Sequence, residues 1–79
     1  MQSFIKWLVF NNLEFEVHFD EYYAPTGSRY FVFVKARDGH CYCFNIEKKR
    51  HGWKIINAPS LPDFIIKNED RFLEAIREH

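Results

Sequence analysis

The chain has only three glycines, Gly27, Gly39 and Gly52, each standing alone in a turn. A phosphate-cradling loop needs glycines clustered within a few residues, so nucleotide chemistry of that kind is excluded. Cysteine is equally sparse, with Cys41 and Cys43 the only two. They lie two apart in an extended run, where both side chains point the same way and the backbone holds them too far apart for an easy bridge. Both are therefore read as free thiols, which fits a reducing compartment. The apolar run from Phe4 to Phe10 is broken by Lys6 and followed by Asn11-Asn12-Leu13-Glu14, without a small-residue cleavage site. A cytoplasmic protein is the expectation, and no apolar stretch is long enough to span a bilayer. Charge excess is also missing. Eleven basic and eleven acidic residues sum to zero, against the basic surplus expected of a general nucleic-acid binder.

Apolar residues are abundant: 47% of the chain is hydrophobic and 19% aromatic. That richness is needed, because 79 residues lie near the lower end of what folds without disulfides or metals. It points to a single compact domain over 1–79. The charges are segregated. Glu14, Glu16, Asp20 and Glu21 make the first third acidic, whereas Lys48, Lys49, Arg50 and Lys54 form a basic cluster around a later turn. Such an arrangement favours self-association by complementary contact, beside the commoner reading of a solvated surface.

The stretch from Tyr30 to Glu47 organises the rest. Two β-rich runs, 30–37 and 40–46, are joined by Asp38-Gly39, a strong signal for a two-residue type I′ hairpin. That loop pairs Arg37 with His40. It sends Phe31, Phe33, Tyr42, Phe44 and Ile46 to one face, and Val32, Val34, Ala36, Cys41 and Cys43 to the other. Residues 13–20 alternate strictly and predict a strand with one wet face. A turn at 24–27 with Pro25 and Gly27 sets Glu16 opposite Lys35 and Val17 opposite Val34, and His18 beside Phe33. Trp53 to Asn57 predict a short fourth strand after the polar turn that ends at Gly52.

Residues 3–12 read as a short helix, with Ser3 as N-cap, Phe4, Trp7 and Leu8 on one face and an asparagine as left-handed C-cap. The rival is a strand that enters a tight turn at Phe10-Asn11-Asn12-Leu13. Near the other end, Ser60-Leu61-Pro62-Asp63 resembles a capping box, and the stripe Phe72, Leu73 and Ile76 predicts a helix over 69–78. The expected fold is α+β: a four-stranded antiparallel meander with a C-terminal helix, and a short N-terminal helix, packed on one face. A helix packs closest where side chains are small, so the C-terminal helix is expected over the face with Val32, Val34, Ala36, Cys41 and Cys43.

This leaves Phe31, Phe33, Tyr42, Phe44, Ile46 and His18 as a candidate binding face, of the kind that marks an interaction site. The expected function is a small non-catalytic interaction module that binds a second copy of itself, or another protein, through that face. A single-stranded nucleic-acid platform is the alternative, since Lys35, Arg37 and His40 share the face with the aromatics. Glu14, Glu16 and Asp20 lie on it too and repel phosphates. Lys48, Lys49, Arg50 and Lys54 are candidate anion contacts. His40, Cys41, Cys43 and His51 have donor types that suit zinc, but Cys-x-Cys in a strand lacks the turn that makes thiolates converge. No metal or cofactor is expected. None of the four histidines has a nucleophile and an orienting carboxylate at a recognisable spacing, so no catalytic residue is assigned.

Overall fold

The computed structural model describes residues 1–56 and 60–79. Five antiparallel strands follow one another in a meander: β1 (Ser3–Phe10), β2 (Leu13–Ala24), β3 (Gly27–Lys35), β4 (Cys41–Lys49) and β5 (Gly52–Ile56). Two helices, α1 (Asp63–Lys67) and α2 (Glu69–Glu78), complete the chain order. The α+β class and the meander agree with the sequence reading, but the sheet has five strands rather than four. The expected end of the last strand at Asn57-Ala58-Pro59 lies outside the described residues.

The additional strand, β1, is the segment read as an N-terminal helix. Its residues alternate between a face that packs on the core, Phe4, Leu8 and Phe10, and a face with Ile5, Trp7 and Val9 exposed. Asn11 and Asn12 both hold positive φ, 52° and 64°, the backbone a two-residue type I′ loop requires. Asparagine tolerates that conformation better than most residues, so the loop forms at low cost and pairs all eight residues of β1 with β2. A helix over 3–12 would bury fewer of these side chains and leave the β2 ladder open.

The second difference is one residue long and larger in effect. Asp38-Gly39 does not form a two-residue loop. Ala36 N–H donates to His40 C=O at 2.8 Å and Gly39 N–H to Ala36 C=O at 3.1 Å, closing a three-residue loop with only Gly39 at positive φ, 94°. Asp38 secures it by accepting from His40 N–H at 3.0 Å. The extra residue shifts the register by one, so that Val34 faces Tyr42 and Val32 faces Phe44. Every side chain of β4 thereby changes face. Tyr42, Phe44 and Ile46 join Tyr30, Val32 and Val34 toward the helices, while Cys41 and Cys43 turn outward and are exposed. Hydrophobic burial explains the outcome: the two-residue register would place the cysteines, Asn45 and Glu47 under the helices and leave Phe44 and Ile46 in water.

The β2–β3 register is as expected, with Glu16 opposite Lys35, Val17 opposite Val34 and His18 opposite Phe33. Helix α2 has the expected bounds and buries Phe72, Leu73, Ala75 and Ile76. The expected capping bonds do not form. Pro62 precedes α1, and the Asn68 side chain donates back to Phe64 C=O at 2.7 Å, ending α1 while its backbone opens α2.

The sheet coils around these helices. Glu69 accepts Ile55 N–H of β5 at 2.9 Å, and Arg71, two residues on, donates to Val9 C=O of β1 at 3.1 Å. In a flat sheet those two outer strands would lie roughly 19 Å apart. Residues two apart in a helix are separated by about 3 Å along its axis. Phe64 likewise touches rings on β1, β2 and β4, namely Phe10, Phe15 and Tyr42. The concave side holds the core, with Val17, Phe19, Val32, Val34, Ile46, Ile65 and Phe72 among its fully enclosed side chains. Among the described residues no helix is long and apolar enough to cross a membrane.

Candidate functional site

Among the described residues all helical material sits on the concave side and leaves the convex face of the sheet open. Its side chains stand in rows that follow the strand pairing. One row runs Ile5, His18, Phe33, Cys43; the next runs Trp7, Glu16, Lys35, Cys41; on the other side lies Ser3, Asp20, Phe31, Asn45, Ile56. A further row holds Tyr22, Arg29, Glu47 and Lys54.

The face divides into two halves. In the half nearest β5 the polar groups satisfy one another. Arg29 donates to Glu47 from Nε at 2.9 Å and Nη2 at 2.8 Å, Lys49 reaches the other Glu47 oxygen at 2.8 Å, and Arg29 also donates to Thr26 at 3.1 Å. Tyr22 donates its hydroxyl to Asn45 Oδ1 at 2.6 Å across β3. Glu47 is a buried acid beside the half-buried Arg29 and Asn45 and the exposed Lys49. The Lys49 hydrogen bond, followed by the Lys49 and then the Arg29 charge, holds its carboxyl below the usual carboxylate range against the opposing effect of burial. Tyr22 leads the groups that raise the Arg29 guanidinium, ahead of Glu47.

The half nearest β1 has no such closure. Ile5, Trp7 and Val9 are 53%, 59% and 49% exposed and Phe31 is 39% exposed. His18 stands edge-on to Phe33 with centroids 5.8 Å apart and pairs with Glu16, which steers its ring across the β2 surface. A shallow cavity of about 250 Å³ opens at the corner between Trp7, Glu14, Glu16, Lys35, Ala36 and Arg37. That volume is below the roughly 300–1,000 Å³ of ordinary ligand pockets. Its two carboxylates and two cations alternate, so it concentrates no single charge.

Of the residues expected to form a binding face, His18, Phe31 and Phe33 are brought together on the open half. Tyr42, Phe44 and Ile46 are not: they lie on the concave side, Phe44 at 4% exposure and Ile46 at 0%, because of the register shift. In their place stand Ile5, Trp7 and Val9, which the sequence reading assigned to a helix; strict alternation of apolar outward positions across 5, 7 and 9 was the available signal. The basic cluster is dispersed. Lys49 is engaged by Glu47, Lys48 turns to the other face over Trp53 at 5.9 Å, Arg50 sits in the turn, and Lys54 lies opposite Glu47. His40 binds Asp38 at the loop tip, and the His40 hydrogen bonds hold the Asp38 carboxyl below its usual range. No three His, Cys, Asp or Glu residues among those described converge on a metal-sized site.

Comparison of the chain with protein-family models, with curated proteins and with solved structures finds no match. The functional reading therefore stands on the geometry of the open face.

Proposed function

We propose that this chain is a small, non-catalytic self-association module whose contact surface is the open half of the sheet, from β1 to Phe33. One observation carries the reading: the three outward side chains of an outer strand, Ile5, Trp7 and Val9, are all apolar and all about half exposed or more. Outer strands are normally blunted by charge or proline, and the outward positions of this one carry neither; its single charge, Lys6, lies on the helix side. Phe31 and Phe33 extend the apolar area inward, and contiguous patches of this kind mark interaction sites on soluble proteins. A formal charge of zero leaves little net repulsion between copies.

The direct test is solution mass by light scattering on a sizing column at two concentrations, for the native chain and for Trp7→Glu. The expected result is a dimer for the native chain and a monomer of unchanged circular dichroism for Trp7→Glu. A native chain that stays monomeric at both concentrations would refute self-association. A platform for single-stranded nucleic acid draws less support, because Glu14, Glu16 and Asp20 interleave with the aromatics and cations of the open half.

A further inference from the structure

The geometry points to one mode of association: two copies join edge to edge through β1, antiparallel, to make one continuous sheet. This inference rests on the self-association reading above and places the contact on the β1 margin of the open half, leaving Phe31 and Phe33 outside it. It begins with the direction of the β1 backbone groups. Phe10 and Leu13 flank a two-residue loop and so exchange hydrogen bonds, which turns the even-numbered groups of β1 toward β2. Consistent with this, Gln2 C=O accepts from Glu21 N–H at 2.8 Å. The odd-numbered groups, on Ser3, Ile5, Trp7 and Val9, face outward. They belong to the same residues whose apolar side chains are exposed on the open face.

Arg71 occupies the Val9 carbonyl. The available edge thus runs from Ser3 to Trp7, and its midpoint is Ile5. Several two-fold registers use outward-facing groups on this strand; one centred on Phe4 pairs Ser3 with Ile5 and reaches Trp7 only through Met1, and three centre on residues 5–7. Pairing Trp7 with Trp7 requires the Val9 carbonyl that Arg71 holds. Centring on Lys6 sets two ammonium groups against each other. Pairing Ile5 with Ile5 uses only Ser3, Ile5 and Trp7, places Trp7 of one copy beside Ser3 of the other, and forms about six new backbone hydrogen bonds.

Charge supports a second copy over an unrelated peptide. Lys6 points to the helix side of β1 and lines a groove with Glu74 and Glu78 of α2, yet among the described residues none of the three makes an ion pair. In the Ile5-centred register Lys6 stands opposite Phe4 of the other copy. That Phe4 stacks on His79 at 3.8 Å, the residue after Glu78. Each Lys6 thereby approaches Glu78 in the last turn of the other copy's α2, which also carries Arg77, and the two-fold axis makes the contact reciprocal.

Amide hydrogen exchange on the native chain, with its mass measured in the same sample, separates the possibilities, and Ile5→Pro and Ile5→Ala supply the variants. Proline at 5 removes only an outward N–H, so the ladder to β2 survives. The expected result is a dimer in which the Ile5 and Trp7 amides exchange at least tenfold more slowly than on dilution to monomer. Ile5→Pro should raise the dimer dissociation constant by more than about 100-fold and Ile5→Ala by about tenfold or less. A dimer with fast Ile5 and Trp7 amides, or equal losses from the two variants, overturns the edge mode while leaving self-association in place. A monomeric native chain overturns both.

Discussion

At the scale of single residues, the decisive pair is Phe33 and Phe44, which the sequence places on one face and the structure places on opposite faces. Phe44 packs edge-on to Phe72 with centroids 5.2 Å apart, whereas Phe33 looks outward beside His18. Urea unfolding should show Phe44→Ala losing about 3–5 kcal/mol and Phe33→Ala about 1 kcal/mol or less. Equal losses would mean that the β4 register is wrong. The exposed Cys41 and Cys43 offer a quicker check: both thiols should react with a colourimetric thiol reagent in the native protein without denaturant. Glu47 gives the pH dependence. Its carboxyl titrates lower in the folded state than in the unfolded chain, so its contribution is full above the ordinary carboxylate pKa and is lost as pH falls through the folded value. Glu47→Gln should lower the urea midpoint most at pH 7, and the difference from the native chain should shrink as pH falls below the ordinary carboxylate range. These residue-level facts were only partly legible. The partner of Val17 and the setting of His18 followed from charge and apolar matching across β2 and β3. The orientation of Phe44 did not, since both faces of the hairpin looked apolar and nothing local chose between them.

The elements themselves turn on loop chemistry. Asp38-Gly39 carries the stronger hairpin motif, yet it is Asn11-Asn12 that adopts positive φ at both positions. An aspartate that can accept the His40 N–H stabilises a longer loop, and the burial of Phe44 and Ile46 rewards the resulting register. Glycine at the second asparagine suits a type I′ loop better than asparagine does. Asn12→Gly should therefore stabilise the fold by roughly 0.5 kcal/mol, measured by thermal or urea unfolding. The β1 strand was hidden because Phe4, Trp7 and Leu8 also satisfy a helical stripe; the eight ladder pairs with β2 that settle the matter are long-range and invisible in the local pattern. Helix α2, by contrast, was readable to the residue. Its acidic first turn and its stripe of Phe72, Leu73 and Ile76 admit no alternative period.

For the whole molecule, the strand count, the coil of the sheet and the open face are one connected fact. Five strands rather than four give a sheet wide enough to wrap the helices, and wrapping sends every large core ring inward and leaves the convex side uncovered. Glu69 and Arg71 fix that curvature by gripping β5 and β1. Glu69→Ala should cost about 1 kcal/mol and speed exchange at the Ile55 amide, its former donor, more than at Ile46 in the sheet interior. The order of synthesis gives this grip a further meaning. All five strands leave the ribosome before α2 does, so a nascent sheet must wait, uncurled, with an apolar β1 and a bare β5 margin, for the segment that closes it. Until Glu69 and Arg71 arrive, any neighbouring strand can compete for those margins. Ribosome stalling or truncation anywhere between Ile56 and Phe72 should thus produce aggregates rather than a partly folded domain. In this chain a ten-residue helix decides between a closed core and uncontrolled strand addition.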